Sequence, residues 1–343
     1  MSGRPARLDP SLLSVLLVTA LVLACSGGGV RAKGELATAT PAQESAQPTA
    51  VSGVTAPPAT AQPTATLPTP APPTATPAPA GGISFSPAQI PQGGAAVVYL
   101  NEQATSATLT FRERQYPMLQ AGGHWWAVIG VGAIAEPGLH PVSVSYTPSG
   151  SSAAMSVVAS IAVTDRDFPV EYIELDSQTA ALLAPEIVNA EISQRAAIFA
   201  GYTMQRFWSG AFVVPASGAL SGHYGEGRSY NGAPATDYHR GTDFAGEIGA
   251  PVYAAASGRV VFTGELQVRG NAIILDHGAG VFTAYHHLSS SAVAQGQTVT
   301  AGQSIGAIGS TGLVTGPHLH WEVIVRGVEV DGELWLTGQE VGP

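Results

Sequence analysis

The stretch Pro317-His318-Leu319-His320-Trp321-Glu322-Val323-Ile324-Val325 decides how this chain is read. It alternates in polarity and closes on β-branched residues, which is the pattern of a strand. Residues two apart on a strand point to the same face. His318 and His320 therefore stand side by side over one site, with Leu319 and Trp321 on the opposite face. Two neighbouring imidazoles on a buried face need polar partners, so core filling explains them poorly. One of them can bind a metal ion while the other hydrogen-bonds whatever the metal activates.

Working outward, seven of the nine histidines lie between His223 and His320, in a chain where charged residues are scarce. Upstream stands His239-Arg240-Gly241-Thr242-Asp243, preceded by Pro234. The glycine and proline argue against a helix there, and a turn entering a strand at Thr242–Phe244 fits better. Such a turn converges an imidazole and a carboxylate on one ion. A histidine and an aspartate four apart recur by chance, but followed about 75 residues later by a His-x-His pair in a β-rich segment they are far more specific. Two histidines and one carboxylate supply three zinc ligands and leave a fourth position for water, which is how catalytic sites are built.

The bulk composition bounds the alternatives. At 343 residues the chain holds two domains with accessory segments. Low charge and abundant Gly and Pro favour β-rich domains joined by linkers. A net charge of −10, with no Lys/Arg cluster, argues against nucleic acid as a partner. The single cysteine, Cys25, excludes an intrachain disulfide framework and a cysteine-rich zinc site.

Residues 1–25 read as an export signal: Arg4 and Arg7 precede an apolar run, Leu12 to Leu23, that is too short to span a bilayer comfortably. Its end, Val22-Leu23-Ala24-Cys25, resembles a bacterial lipobox, in which the cysteine becomes the lipid-bearing N-terminus; Asp9 and Leu23 are atypical for that pattern. The resemblance implies an extracytoplasmic, membrane-anchored lipoprotein held through Cys25, with secretion as the alternative. Residues 26–81 form a Thr/Pro/Ala-rich linker with almost no large apolar residues, expected to be disordered. In polyproline II its reach is on the order of 100 Å.

Residues 82–165 carry about seven short strand-like runs, among them Ala95–Leu100, His124–Ile129 and Met155–Val163, separated by turns such as Pro91-Gln92-Gly93-Gly94. That spacing predicts an immunoglobulin-like β-sandwich serving as a spacer or positioning module. Trp125 and Trp126 are adjacent and face opposite sides of their strand. In the connector, 166–209, a helix is expected at about 185–200. Pro185 suits its first turn and Glu186 its positive end, while Ile187, Val188, Ile192 and Phe199 give an apolar side that braces the domains.

With these residues in view, the segment from Val213 to Trp335, within a domain spanning 210–343, resembles the lysostaphin-type (LytM-like) zinc endopeptidases of peptidoglycan. The matching pieces are His239-Arg240-Gly241-Thr242-Asp243-Phe244, Gly249-Ala250-Pro251-Val252-Tyr253-Ala254, Asp276-His277-Gly278, Tyr285-His286-His287-Leu288, Gly309-Ser310-Thr311-Gly312 and Gly316-Pro317-His318-Leu319-His320-Trp321-Glu322. The resemblance implies an antiparallel β peptidase domain with an open groove, which with the sandwich makes a mainly β chain. It also implies one zinc ion held by His239, Asp243 and His320. His318 and His287 would be catalytic, orienting the attacking water, taking its proton and stabilising the oxyanion. His286 falls at a variable position and, on a strand, is expected to face away from His287; His277 reads as structural. Where relatives commonly place Phe-Gly followed by Arg, this chain has His223-Tyr224-Gly225-Glu226-Gly227-Arg228, near the expected substrate groove, so specificity can differ. His223 itself is a weak candidate for an additional ligand.

The function implied is a zinc metalloendopeptidase hydrolysing cross-bridge or stem peptides of peptidoglycan during cell-wall remodelling. The alternative is a non-catalytic wall-binding regulator of the same fold, of the amidase-activator type, with an unknown regulatory protein partner. A secreted protease aimed at other bacteria is a third reading, against which the lipobox weighs.

Overall fold

The computed structural model describes residues 82–338 and is mostly β. The expected signal segment, Cys25 and the 26–81 linker lie outside the described residues. Among the described residues no helix is long and apolar enough to cross a membrane.

Residues 83–164 fold into two facing sheets. One orders the strands Ile83–Ser86, Ala95–Leu100, His124–Gly130 and Leu119–Ala121; the other orders Gln89–Pro91, Met155–Thr164, Gly138–Pro148, Ala104–Phe111 and Arg114–Pro117. Strand Ala95–Leu100 is an apolar run rather than an alternating one, and the reason is that both of its faces are covered. Ala96, Val98 and Leu100 enter the sandwich core, whereas Ala95 and Val97 enter the core of the C-terminal domain with Val323, Val325 and Trp335. The tryptophan pair divides in the same way. Trp126 is buried in the C-terminal core, and Trp125 packs on the sandwich core and donates its indole N–H to the Ala104 carbonyl at 3.0 Å. At Gly130 the two domains approach so closely that a Cβ would lie 2.8 Å from Val330 Cγ1. The sandwich is thus packed onto the C-terminal domain through a shared apolar layer.

The C-terminal domain is built on an antiparallel sheet in the order Leu220–Gly222, Thr242–Ala245, His318–Val325, Val281–His286, Gly270–Gly278, Gly258–Leu266 and Thr298–Val299, with Val328–Val330 also paired to His318–Val325. A smaller sheet of Pro251–Tyr253, Ser304–Ile308 and Leu288–Ser291 accompanies it. Strand His318–Val325 is central, and its two faces differ as its alternation predicts. Leu319, Trp321, Val323 and Val325 fill the main core, while His318, His320, Glu322 and Ile324 look the other way.

That second face is covered by the connector helix, Pro185–Ala200, with Pro185 and Glu186 in its first turn. Its buried stripe is not the apolar one expected. Glu191, Arg195 and Phe199, at i, i+4 and i+8, are the buried residues, and Ile192 is half exposed. The helix must satisfy charges on the sheet at one end and apolar surface at the other, where Phe199 meets Phe282 at 5.3 Å between ring centroids.

His277 is structural, as expected. Its ring is fully buried, with Nδ1 donating to the Ser257 carbonyl at 2.9 Å and Nε2 accepting from the Thr283 hydroxyl at 2.7 Å. Burial pushes its pKa from 6.5 down to about 4. The folded state thus refuses a proton that the unfolded chain takes up below pH 6.5. The contribution of His277 to stability is fully present above pH 6.5 and is lost as pH falls towards 4, a loss of up to about 3 kcal/mol. Urea unfolding between pH 7 and 4.5 should show a shallower loss of stability in His277→Gln than in the wild type, even though the variant starts less stable.

Candidate metal centre

Sheet register assembles the site. Asp243 and His320 are directly opposed cross-strand partners, and His286 opposes His320 from the other side. Opposed residues hold their Cβ atoms about 5 Å apart, so pairing alone brings the carboxylate to the imidazole. The turn before Thr242 adds His239. Its Nε2 lies 3.1 Å from Asp243 Oδ1 and 2.9 Å from His320 Nδ1, and His320 Nδ1 lies 2.8 Å from Asp243 Oδ1. Gly241 makes this convergence possible: a Cβ there would sit 2.4 Å from the Trp321 carbonyl and 2.9 Å from the His320 ring.

The proton inventory shows what this cluster can hold. His239 Nδ1 faces the carbonyl of His223 at 2.8 Å, and a carbonyl only accepts, so Nδ1 carries the hydrogen and Nε2 a lone pair. His320 Nε2 faces the Glu322 carboxylate at 3.1 Å and donates to it, which leaves the lone pair on Nδ1. Two lone pairs and a carboxylate oxygen then point at one another across 2.8–3.1 Å. Acceptors so placed repel unless a cation lies between them, and two imidazoles with one carboxylate are a zinc donor set. His239, Asp243 and His320 are the group of residues that could hold a metal ion. Burial would raise the Asp243 pKa; in the absence of a cation, a second proton on His239 or His320 can be donated to the carboxylate, and these contacts outweigh burial and hold it well below its usual range. Burial also keeps His239 low despite its contact with Asp243.

His318 and His287 flank the trio. His318 Nδ1 donates to the Gly316 carbonyl at 2.8 Å, and its Nε2 stands 3.8 Å from Asp243 Oδ1. His287 Nδ1 donates to the Thr311 carbonyl at 2.7 Å, so its other nitrogen is also a lone pair. Its ring lies 4.9 Å from His318 and 5.8 Å from His320, centroid to centroid. Burial, then the neighbouring His320 and His318, hold His287 well below its ordinary pKa, so it is uncharged at neutral pH. All four rings therefore turn one committed N–H outward and one free nitrogen inward. His318 and Asp243 are the more exposed members, with side chains 17% and 13% accessible, so the approach to the cluster runs past them.

His286 corrects an expectation. Expected to face away from His287, it meets the same partner ring: it lies 5.6 Å from His320, against 5.8 Å for His287. The strand ends at His286, and His287 takes a left-handed backbone with φ of 61°, which abolishes the alternation that would have separated the two rings. His286 is wholly buried, neither ring nitrogen has a hydrogen-bond partner, and burial pushes its pKa down to about 3. Glu322 Oε2 is 3.6 Å away, too far for a hydrogen bond. His223 offers its carbonyl to His239, while its ring pairs with Glu333 at 2.8 Å. Arg228, from the His223–Arg228 segment, places NH2 3.7 Å from Asp243 Oδ2 and pairs with Glu171 on a strand, Val170–Ile173, that runs parallel to Gly227–Tyr230.

Sequence reasoning missed the layer behind His320. Glu322 Oε1 accepts from His320 and from Arg269 Nε at 2.9 Å, while Oε2 accepts from Arg195 of the connector helix. Burial would raise the Glu322 pKa, yet Arg195 and Arg269 hold it well below the carboxylate range. One signal was available: Glu322 lies two residues beyond His320 and so shares its face.

Residues 237–332 match the family model for peptidase family M23. Over 93 residues the chain is 52% identical to the peptidoglycan DD-endopeptidase ShyA of Vibrio cholerae, an alignment covering 27% of this chain and 22% of that protein. It is 38% identical over 123 residues to a lipoprotein NlpD/LppB homolog of Pseudomonas aeruginosa, covering 36% of this chain and 38% of the relative. A crystal structure described as a peptidase M23 from Pseudomonas aeruginosa matches 73% of this chain and 95% of its own, with a TM-score of 0.56 at 26% identity. The chain carries a peptidase M23 domain of the LytM/lysostaphin type. It spans just over a fifth of the length of the endopeptidases ShyA, ShyB and ShyC. The His239–Asp243–His320 donor set fits a zinc ion.

Zinc at about 100 times its Kd should raise the unfolding free energy by ~2.7 kcal/mol. Thermal unfolding with zinc and with a chelator should show this gain in the wild type and its disappearance in His239→Ala and His320→Ala.

Proposed function

We propose that this chain is a zinc metalloendopeptidase hydrolysing peptide bonds of peptidoglycan, in cross-bridges or stem peptides, during cell-wall remodelling. The observation that carries the reading is the four inward-facing imidazole nitrogens of the site, two of which, on His318 and His287, the metal does not need. A regulator that only bound the wall would have no use for free bases beside the donor trio. The M23 domain and the 52% identity to a named DD-endopeptidase support the same reading.

When bound, zinc supplies Lewis acidity and lowers the pKa of its water to about 7. The protein's own part is held by His318 and His287. Each keeps its outward N–H on a carbonyl, Gly316 and Thr311 respectively, which fixes the ring and leaves one nitrogen to take a proton from the attacking water. The same nitrogens, once protonated, become donors able to stabilise the developing oxyanion or to return the proton to the leaving amine.

Digestion of purified peptidoglycan by the full chain, followed by mass analysis of soluble products, tests the reading. Peptide fragments should appear with zinc and vanish with a chelator. His318→Ala and His287→Ala should each slow release by about 10²–10⁴-fold while retaining bound metal. Zinc-loaded wild type that releases nothing would instead establish the non-catalytic, wall-binding reading.

The chain is further proposed to be an extracytoplasmic lipoprotein anchored through Cys25, supported by the lipobox-like Val22-Leu23-Ala24-Cys25 and by the named lipoprotein among its relatives. Metabolic labelling with a lipid precursor should mark the wild type and leave Cys25→Ala unlabelled; equal labelling of both would remove the anchor from this account.

A further inference from the structure

The residues that hold His320 and His287 in place do not all belong to the 237–332 segment that matches the family. Behind the donor trio, four buried or nearly buried charges run from the sheet to the connector helix. Glu322 receives His320 Nε2 at 3.1 Å and Arg269 Nε at 2.9 Å. Arg269 in turn donates NH1 to Glu191 Oε1 at 2.8 Å, and Arg195 pairs with the second oxygen of Glu322. Glu191 also grips the backbone of the same turn, with Oε2 accepting from the amides of Val268 at 2.6 Å and Arg269 at 3.3 Å. The carbonyl of Arg269 then accepts the backbone N–H of His287 at 3.0 Å, at the residue whose left-handed backbone aims its ring into the site.

Stability alone is a poor account of this arrangement. Removing two charges from water costs about as much as their attraction returns, and well-packed apolar residues of equal volume commonly serve as well. The apolar end of the same helix shows the cheaper way to attach it, with Phe199 packed against Phe282. What an apolar stripe could not supply is direction: an acceptor behind His320 Nε2, and a turn clamped so that its carbonyl meets His287.

We propose that Glu191 is a positioning residue of the metal centre, acting through Arg269 on both Glu322–His320 and the His287 backbone, so that the connector helix is an outer layer of the active site. This rests on the zinc reading of the His239–Asp243–His320 trio. Binding of metal and docking of the helix are then coupled, and coupling of this kind is reciprocal.

The test uses the full chain and zinc alone as probe. Zinc affinity is measured by competition with a chelator, and amide exchange of residues 188–199 is followed with and without zinc. The wild type should show slower exchange in that helix when zinc is added. Glu191→Gln keeps the shape but removes the charge; it should bind zinc about 10- to 100-fold more weakly and lose the zinc-induced slowing. Arg269→Lys keeps the charge but loses the fork that joins Glu191 to Glu322, and should behave in the same way should Glu191→Gln not fold. Glu186→Gln, exposed on the same helix, should match the wild type in both readouts. Lower thermal stability with unchanged zinc affinity and unchanged helix exchange in the Glu191 and Arg269 variants would overturn the proposal and leave the network merely structural. Failure of the wild type to bind zinc would sink the metal reading itself, and this inference with it.

Discussion

Four imidazoles share one small volume, and each has an acceptor-only atom placed behind it. The carbonyls of His223, Gly316 and Thr311 and the carboxylate of Glu322 each claim one ring N–H. A neutral imidazole has a single N–H, so committing it outward forces the remaining nitrogen to be a lone pair turned into the site. The rest of the site follows from that constraint. Two of the lone pairs join the carboxylate as a donor set that needs a cation, and the other two remain as bases. Had any one of these outer acceptors been a donor, the ring would present an N–H to the site and could neither ligate nor accept a proton.

The scaffold serves this arrangement by burying both faces of the strand His318–Val325. One face is anchored by Leu319, Trp321 and Val323 in a core that also takes Ala95, Val97 and Trp126 from the sandwich. The sandwich was expected as a spacer or positioning module. It shares a core with the sheet that carries His320. The other face holds the site at one end and Phe199 of the connector helix at the other. Apolar packing sets where the strand lies, and polar contacts set which way its side chains turn.

Exposure divides the site in a way that suits its chemistry. His239, His287 and His286 are nearly or fully buried, which holds their pKa values down and keeps them uncharged. Contacts with His239 and His320 hold Asp243 ionised in a place where burial would otherwise favour the neutral acid. Arg228 adds a positive charge on the other side of that carboxylate, and Glu171 of the connector offsets it. The segment carrying Arg228 thus borders Asp243, one of the more accessible members of the site.

Local pattern determined much by itself. Alternation placed His318 and His320 on one face of a strand, the Gly-containing turn put His239 and Asp243 within reach of each other, and Pro185 and Glu186 marked the start of a helix. These are properties of neighbours in sequence, with periods of 2 and 3.6 that can be read directly. Tertiary structure decided what no local period encodes. Cross-strand register set Asp243 and His286 on either side of His320. A left-handed residue turned His287 back beside His286, where strand alternation alone would have parted them. The helix buried Glu191 and Arg195 rather than Ile192, because the surface it covers carries Arg269 and Glu322, residues 78 and 127 positions away in the pairings that decide it. A buried charge is stable only against its partner, and when the partner is that distant in the chain, only the folded structure brings it into view.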